Sequence, residues 1–171
     1  MPTENQPKDG LQLLAQDHRK VEELFEQFEK ASGTSAKERL VRQICTELKI
    51  HSMIEEEIYY PEIRGKVEED ALDEAYVEHD SAKLLINELE AAEPDESFYD
   101  AKVKVLQEEI EHHVEEEEQR GKGIFAQARD SDIDLDALGE QMATRKEQLM
   151  AEIDASGLPE PETSSLDKVQ V

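Results

Sequence analysis

Apolar residues recur at intervals of three and four along most of this chain, the spacing that places them on one face of an α-helix. Five segments show the pattern, and they cover approximately residues 11–31, 36–60, 69–92, 96–119 and 134–153. Gly, Pro and Ser lie between the segments, and Pro61 is expected to end or perturb the second helix. Because the first four segments are long and joined by short connections, the sequence predicts an all-α protein, an antiparallel up-down-up-down four-helix bundle.

The two ends of the chain lack this periodicity. We predict a flexible N-terminal tail over residues 1–9 and a disordered tail over residues 154–171, which are polar and contain several Pro and Ser residues. The bundle is expected to cover residues 10–129. An additional C-terminal helix is predicted over residues 130–153.

Histidines interrupt the apolar faces of all four bundle helices. One histidine in each helix is in phase with the apolar residues, and two helices add a glutamate four residues later on the same face: His18, His51 with Glu55, His79, and His113 with Glu117. A single buried histidine is usually a hydrogen-bonded core residue, but four of them with two buried carboxylates would be costly. A cation at the centre offsets that cost, so the pattern predicts a metal site. A neutral glutamate hydrogen-bonded to a histidine is the alternative that these residues leave open.

The number and type of the six side chains restrict the metal. Four imidazoles and two carboxylates exceed the four ligands of one structural zinc. They suit a pair of iron ions in a four-helix bundle, and manganese or zinc pairs are alternatives. If both carboxylates bridge, each ion receives two histidines, and a bridging oxo or hydroxo oxygen and open positions are expected.

The residues next to these six are expected to lie outside the site. His112 lies about 100° around the helix from His113 and is predicted to be an outer or surface residue. The glutamate runs at 55–57 and 115–118 are expected to be mostly solvated, with only Glu55 and Glu117 turned inward. For Tyr59 and Tyr60 we expect core packing or a helix-end contact, and a position of one phenol near the site is the alternative.

Four short motifs together resemble the hemerythrin-like HHE cation-binding domains, over about residues 10–129. The motifs are Gln16-Asp17-His18 with Phe25, His51-x-x-x-Glu55-Glu56 followed by Tyr60-Pro61, Glu78-His79-Asp80 with Leu84-Leu85, and His112-His113-Val114-Glu115-Glu116-Glu117. The resemblance implies that the same six residues bind the metal.

The sequence departs from the reversible oxygen carriers of that family at two ligand positions. Lys83 stands where those proteins have a second histidine one turn after the ligand of the third helix, and their aspartate of the fourth helix is replaced by Glu117. In addition, residues 120–123 intervene where family members often continue directly into a Phe-Pro pair. The chain therefore resembles the HHE branch of the family, and simple oxygen transport is not expected.

The charge of the chain excludes other classes of function. A formal net charge of −25 disfavours binding to nucleic acid or to an anionic membrane, since both need clustered Lys and Arg. The N-terminus lacks the apolar core of a signal peptide, and no apolar run approaches the ~18 residues of a membrane span. The single Cys45 excludes an internal disulfide, so we expect a cytoplasmic protein.

The resemblance implies a non-heme di-iron protein that binds, senses or buffers a small ligand such as O2 or NO, or iron itself. An enzyme that activates O2 or decomposes peroxide at the same centre is the first alternative. A metal-free helical interaction module is the second alternative, against which the two in-phase glutamates argue.

Overall fold

The computed structural model describes residues 6–157 and 161–166, which contain helices and turns but no strand. The helices are α1 (Gly10–Lys30), α2 (Thr34–Ile54), α3 (Tyr60–Ile63), α4 (Glu69–Ala91), α5 (Tyr99–Glu118), α6 (Ile124–Arg129) and α7 (Leu135–Ser156), with a π-helical turn (Glu55–Tyr59) between α2 and α3. Helices α1 and α4 each pack against both α2 and α5, so these four close into a bundle. The predicted all-α four-helix bundle is confirmed. Among the described helices none is long and apolar enough to cross a membrane.

Helix α1 begins at a side-chain cap. The carboxylate of Asp9 accepts a hydrogen bond of 2.9 Å from the backbone N–H of Gln12, which satisfies one of the free donors at the helix start. Asp9, which was predicted to belong to the flexible tail, is therefore the N-cap of α1. Residues 1–5 lie outside the described residues, and the expectation of a flexible tail stays a prediction for them.

The second bundle helix differs from its predicted course at its C-terminal end. It widens into the π-helical turn after Ile54, and the N–H of Tyr60 donates to the carbonyl of Glu55, five residues earlier. Pro61 then lies in the first turn of α3, where its missing N–H is tolerated, so the helical path continues beyond this proline to Ile63. Wide turns of this kind are frequent at functional sites.

Helix α7 packs along the outside of the bundle against α1, α2 and the π-helical turn. Leu138, Met142 and Leu149 are buried in this contact. Gly139 permits the close approach, because a Cβ atom there would lie 2.8 Å from the backbone nitrogen of Gly10. The helix ends at Ser156, three residues later than predicted.

The glycine that follows accounts for the end of α7, since Gly157 adopts a φ of 76° and its N–H donates to Ile153. Residues 158–160 and 167–171 of the expected disordered tail lie outside the described residues. Residues 161–166 lie against α4.

The interior consists of two apolar clusters. One surrounds Leu14, Ile54 and Leu72, and the other surrounds Phe25, Leu48 and Leu106. Each of the four in-phase histidines lies in the chain between residues of the two clusters; His18, for example, lies between Leu14 and Val21. The fold therefore places a polar layer between two apolar ones.

Candidate metal centre

The structure brings all six residues of the sequence pattern together in one buried layer. None is more than 6% exposed, and Glu55 is fully buried. Their side-chain ligand atoms fall into two groups with all members within 4.8 Å of one another: His18, His51, Glu55 and Glu117, and Glu55, His79 and His113. We call His18 with His51 the first half-site and His79 with His113 the second half-site.

The two histidines of each half-site face each other through their Nε2 atoms. The Nε2 atoms are 3.1 Å apart in the first half-site and 3.2 Å apart in the second. Since each histidine of a pair comes from a different helix, each half-site exists only when the bundle is closed.

Both glutamates reach from one half-site to the other. Glu55 Oε1 lies 3.2 Å from Nε2 of His51, and Glu55 Oε2 lies 3.0 Å from Nε2 of His79. Glu117 Oε2 lies 3.5 Å from Nε2 of His18, and its Oε1 lies 3.4 Å from Nε2 of His113. Each carboxylate thus presents one oxygen to each half-site, as a carboxylate shared by two cations would.

The other ring nitrogen of each histidine, Nδ1, faces a carboxylate from a neighbouring helix or from the π-helical turn. The pairs are His18 with Glu118 at 2.7 Å, His51 with Asp17 at 3.4 Å, His79 with Glu56 at 2.9 Å, and His113 with Glu78 at 2.5 Å. An ionised carboxylate can only accept hydrogen bonds, so Nδ1 carries the proton in each pair. A neutral histidine then has its lone pair on Nε2, directed at the centre, as in histidines that bind metals.

The sequence pattern did not predict that these four carboxylates contact the histidines. Glu56 and Glu118 were expected in solvated runs, and that expectation is wrong, because each packs against a histidine of the adjacent helix. The available signal was adjacency: each of the four carboxylates directly precedes or follows one of the six layer residues. A step of one residue turns a side chain by about 100°, from the centre toward the neighbouring helix.

Tyr60 also lies in the centre, rather than only in the core or at a helix end. Its hydroxyl donates to Glu117 Oε1 at 2.8 Å and contacts Glu55 Oε2 and His79 Nε2, each at 3.1 Å. The π-helical turn explains the difference, because it turns Tyr59 and Tyr60 inward together and both are fully buried.

Burial and nearby charges shift the pKa values of the layer residues in different directions. Burial lowers the pKa of His18 to about 4. Burial also opposes charge on His51, but Glu55 and Asp17 outweigh it and raise the pKa of His51 well above its ordinary value. Burial and then the charge of Glu55 raise the pKa of Glu117 to about 8. Burial and the charge of Glu55 thus favour the protonated form of Glu117, and a cation that binds both carboxylates would compete with this proton.

The residues present fit a pair of cations. Glu55 Oε1 and Glu117 Oε2 are buried, with no hydrogen-bond partner within the described part of the chain. A buried polar atom without a partner costs about 1–3 kcal/mol, more when charged, and a cation would remove that cost. Neighbouring nitrogens about 3 Å apart suit two ligands around an ion with bonds of ~2.1 Å.

A small cavity of about 30 Å³ lies against the four histidines. Its other walls are mostly apolar and are formed by Val21, Leu48, Ala82, Ile86, Ile110 and Val114, and Asp17, Ser52 and Lys83 complete the lining. The volume is about that of one water molecule in the liquid. The cavity therefore has room for a molecule of two or three atoms.

His112 and the segment after α5 lie at the edge of the centre. The side chain of His112 is 59% exposed and pairs with Glu116 at 3.2 Å, as expected for an outer residue. The intervening residues 120–123 lead into α6, where Phe125 stacks on the ring of His18 with centroids 5.7 Å apart. Gly123 is required there, because a Cβ atom would lie 2.3 Å from the carbonyl oxygen of Glu117.

Comparisons with known proteins agree with this description. A model of the hemerythrin HHE cation binding domain family matches residues 9–122. The crystal structure of a hemerythrin HHE cation binding domain-containing protein from Mycobacterium kansasii superposes with a TM-score of 0.71, covering 88% of this chain and 94% of that one at 22% identity. A DNA nickase from Nostoc sp. is 28% identical over 119 residues, which are 70% of this chain and 33% of the nickase. The chain thus spans about a third of the length of that relative.

The fold and the buried clusters of histidine and glutamate define a metal-binding, hemerythrin-like protein. The chain belongs to the hemerythrin HHE cation binding domain family.

Proposed function

We propose that this protein is a non-heme di-iron protein that binds O2 or NO and thereby senses or buffers it, or buffers iron itself. The observation that supports the proposal most strongly is that Glu55 and Glu117 each lie close to both half-sites. Each carboxylate offers one oxygen to the histidines of each half-site. Two cations sharing both carboxylates would use every side chain of the layer.

In this proposal His18 and His51 hold one iron and His79 and His113 hold the other, with Glu55 and Glu117 bound to both. Bound iron would supply redox chemistry and, with a bridging oxo or hydroxo oxygen, open positions for a small ligand. The protein contributes orientation and exclusion of water. The outer carboxylates fix the four imidazole rings, and the apolar cavity of about 30 Å³ admits only small molecules to them.

The experiment is metal analysis with an electronic absorption spectrum of the protein loaded with ferrous iron and then oxidised. About two irons per chain and charge-transfer bands of a bridged iron pair are the expected result. A protein that folds stably but takes up no iron would overturn the proposal and leave the metal-free interaction module. Preferential uptake of manganese or zinc from an equimolar mixture would change the metal but keep the centre.

The choice between the two neighbouring histidines of α5 gives a sharper test of the ligand set. His113→Ala should lose about one of the two irons, while His112→Ala should keep both, because His113 faces the layer and His112 is exposed. The reverse result would show that the helix phase has been assigned wrongly.

Reversible ligand binding separates the proposed function from the enzyme alternative. Titration of the reduced protein with NO or O2 is expected to give a saturable, reversible spectral change. Rapid turnover of hydrogen peroxide or of O2 with an added reductant would instead identify an enzyme. The small cavity suits O2, NO and hydrogen peroxide alike, so this measurement rather than the size of the cavity separates the two functions.

The proposal includes a cytoplasmic location and no binding to DNA or membranes. The net charge of −25 and the lack of clustered Lys and Arg in the sequence argue against binding to DNA and membranes, and the single Cys45 favours the cytoplasm. The DNA nickase is a relative over only a third of its length, so its activity is not carried over to this chain.

A further inference from the structure

The carboxylate of Asp80 anchors a segment from the far end of the chain. The backbone N–H groups of Ser164, Ser165 and Leu166 donate to it at 2.5 to 3.0 Å, and the hydroxyl of Ser165 donates at 2.6 Å. Successive N–H groups that converge on one anion form a concave backbone arrangement typical of anion binding. We call residues 161–166 the strap. Beneath it Asp80 is fully buried.

The strap also holds Lys83, one turn further along α4. The ammonium group of Lys83 donates to the carbonyl oxygen of Glu162 at 2.9 Å, and it lies 2.7 Å from Glu56 and 3.3 Å from Asp80. Glu56 in turn bonds Nδ1 of His79. A continuous set of contacts therefore connects the strap to the second half-site.

Lys83 lies between two cavities. A cleft of about 350 Å³ has Pro161 and Glu162 of the strap on one side and Lys49, Met53 and Glu57 among its other walls. Ser52 and Lys83 line both this cleft and the small cavity against the four histidines. These two side chains separate the cleft from the centre.

We propose that the strap and Lys83 form a gate that controls the passage of small molecules and ions between solvent and the histidine–glutamate layer. Closed, the strap fixes Lys83 over the small cavity. When the strap leaves Asp80, Lys83 loses the Glu162 carbonyl, can swing out into the cleft, and opens the way past Ser52. Which molecules and ions pass the gate depends on the proposed function. The opening and closing of the gate do not depend on it.

The chemistry of the contact suits a reversible gate. The strap is bound mainly by hydrogen bonds to a single carboxylate, and Leu166 remains 38% exposed, so little apolar surface is buried. Asp80 and Lys83 are both charged groups that water can hydrate once the strap has left. Segments with few buried apolar contacts open at low free-energy cost.

Ser165→Pro is the decisive variant, because proline removes the backbone donor and the hydroxyl at once without touching a layer residue. Ser165→Ala removes the hydroxyl alone and should have a smaller effect. A chain ending at Gly157 lacks the whole strap, and a chain ending at Leu166 is its matched control because it keeps the strap.

Access to the layer can be measured without iron by exchange of the imidazole Cε1–H of each histidine for deuterium in D2O, followed by mass spectrometry, because water is small enough to enter the cavity. We expect His51 and His79 to exchange about ten- to a hundredfold faster in Ser165→Pro and in the chain ending at Gly157 than in the full chain. The chain ending at Leu166 should exchange like the full chain. His112 is exposed, so its rate should be the same in all four proteins and serves as an internal reference.

In the iron-loaded protein the same variants should speed up azide binding to ferric iron and extraction of ferrous iron by a chelator, while the amount of iron at saturation stays unchanged. Equal rates in the full chain and in both strap variants would overturn the gate. If the protein takes up no iron, the proposed function fails, and the rates of deuterium exchange at the histidines still decide whether the strap is a gate.

Discussion

The two half-sites share Glu55 and Glu117 but lie in different surroundings. The first is packed by aromatic and helical neighbours: Phe125 stacks on His18, and Lys146 of α7 pairs with Asp17, which bonds His51. Side chains of α6 and α7, two helices outside the four-helix bundle, therefore pack against this half-site.

The neighbours of the second half-site are a tyrosine and a lysine that lie close to His79. The hydroxyl of Tyr60 contacts His79, and Lys83 reaches His79 through Glu56. The strap covers this side of the molecule. The first half-site thus has α6 and α7 packed against it, whereas the second is connected through Glu56 and Lys83 to the strap.

The largest effect is expected from Glu55, because it belongs to both half-sites. Glu55→Ala should reduce bound iron from about two per chain to nearly none, since it removes one oxygen from each ion. Metal analysis after gel filtration checks this, with Glu57→Ala, an exposed residue of the same turn, as the control. Retention of one tightly bound iron would show that only one half-site depends on Glu55.

Removal of one histidine from each half-site compares the two directly. His18→Ala and His79→Ala should each lose about one of two ions, because the other half-site keeps both of its histidines. The stoichiometry and the spectrum of the remaining ion give the readout. Loss of both ions in either variant would mean that the two half-sites bind cooperatively rather than separately.

The outer carboxylates should have a smaller effect. Glu78→Gln and Glu118→Gln are each expected to weaken iron binding by about 10- to 100-fold, because the imidazole they orient loses its charged partner. The loss should be greater for Glu78, since Glu118 already shares its charge with Arg19 at 2.7 Å. Competition with a chelator of known affinity measures both.

The matched control for this pair is Glu115→Gln, which changes an exposed carboxylate of the same helix, α5. Equal binding in all three variants would show that the Nδ1 contacts do not set iron affinity.

The smallest change is expected from Tyr60→Phe, which keeps the ring and removes the hydroxyl. Without iron, the free energy of unfolding should fall by about 1–3 kcal/mol, because Glu117 loses its donor in a buried site. Tyr59→Phe is the control, since its hydroxyl makes one long contact of 3.4 Å to Ile124 and should cost less. Urea unfolding of the two variants and of the parent protein shows which variant loses more free energy of unfolding.

The sequence alone determined the bundle and the membership of the layer. Helical periodicity is a local property of the chain, so the phase of His18, His51, His79 and His113 relative to their apolar neighbours could be read without knowing which helices touch. The same holds for Glu55 and Glu117, which follow their histidines by one turn. That these six side chains bind the metal stays a prediction that the proposed experiments test.

Only the tertiary structure decided what surrounds those six residues. The contact of His18 with Glu118 joins residues 100 positions apart, and the strap reaches Asp80 from more than 80 positions away. The place of Tyr60 depends on the wide turn that precedes it, which no periodic pattern indicated. Such contacts depend on how whole helices are rotated and docked against one another, and a local pattern does not carry that information.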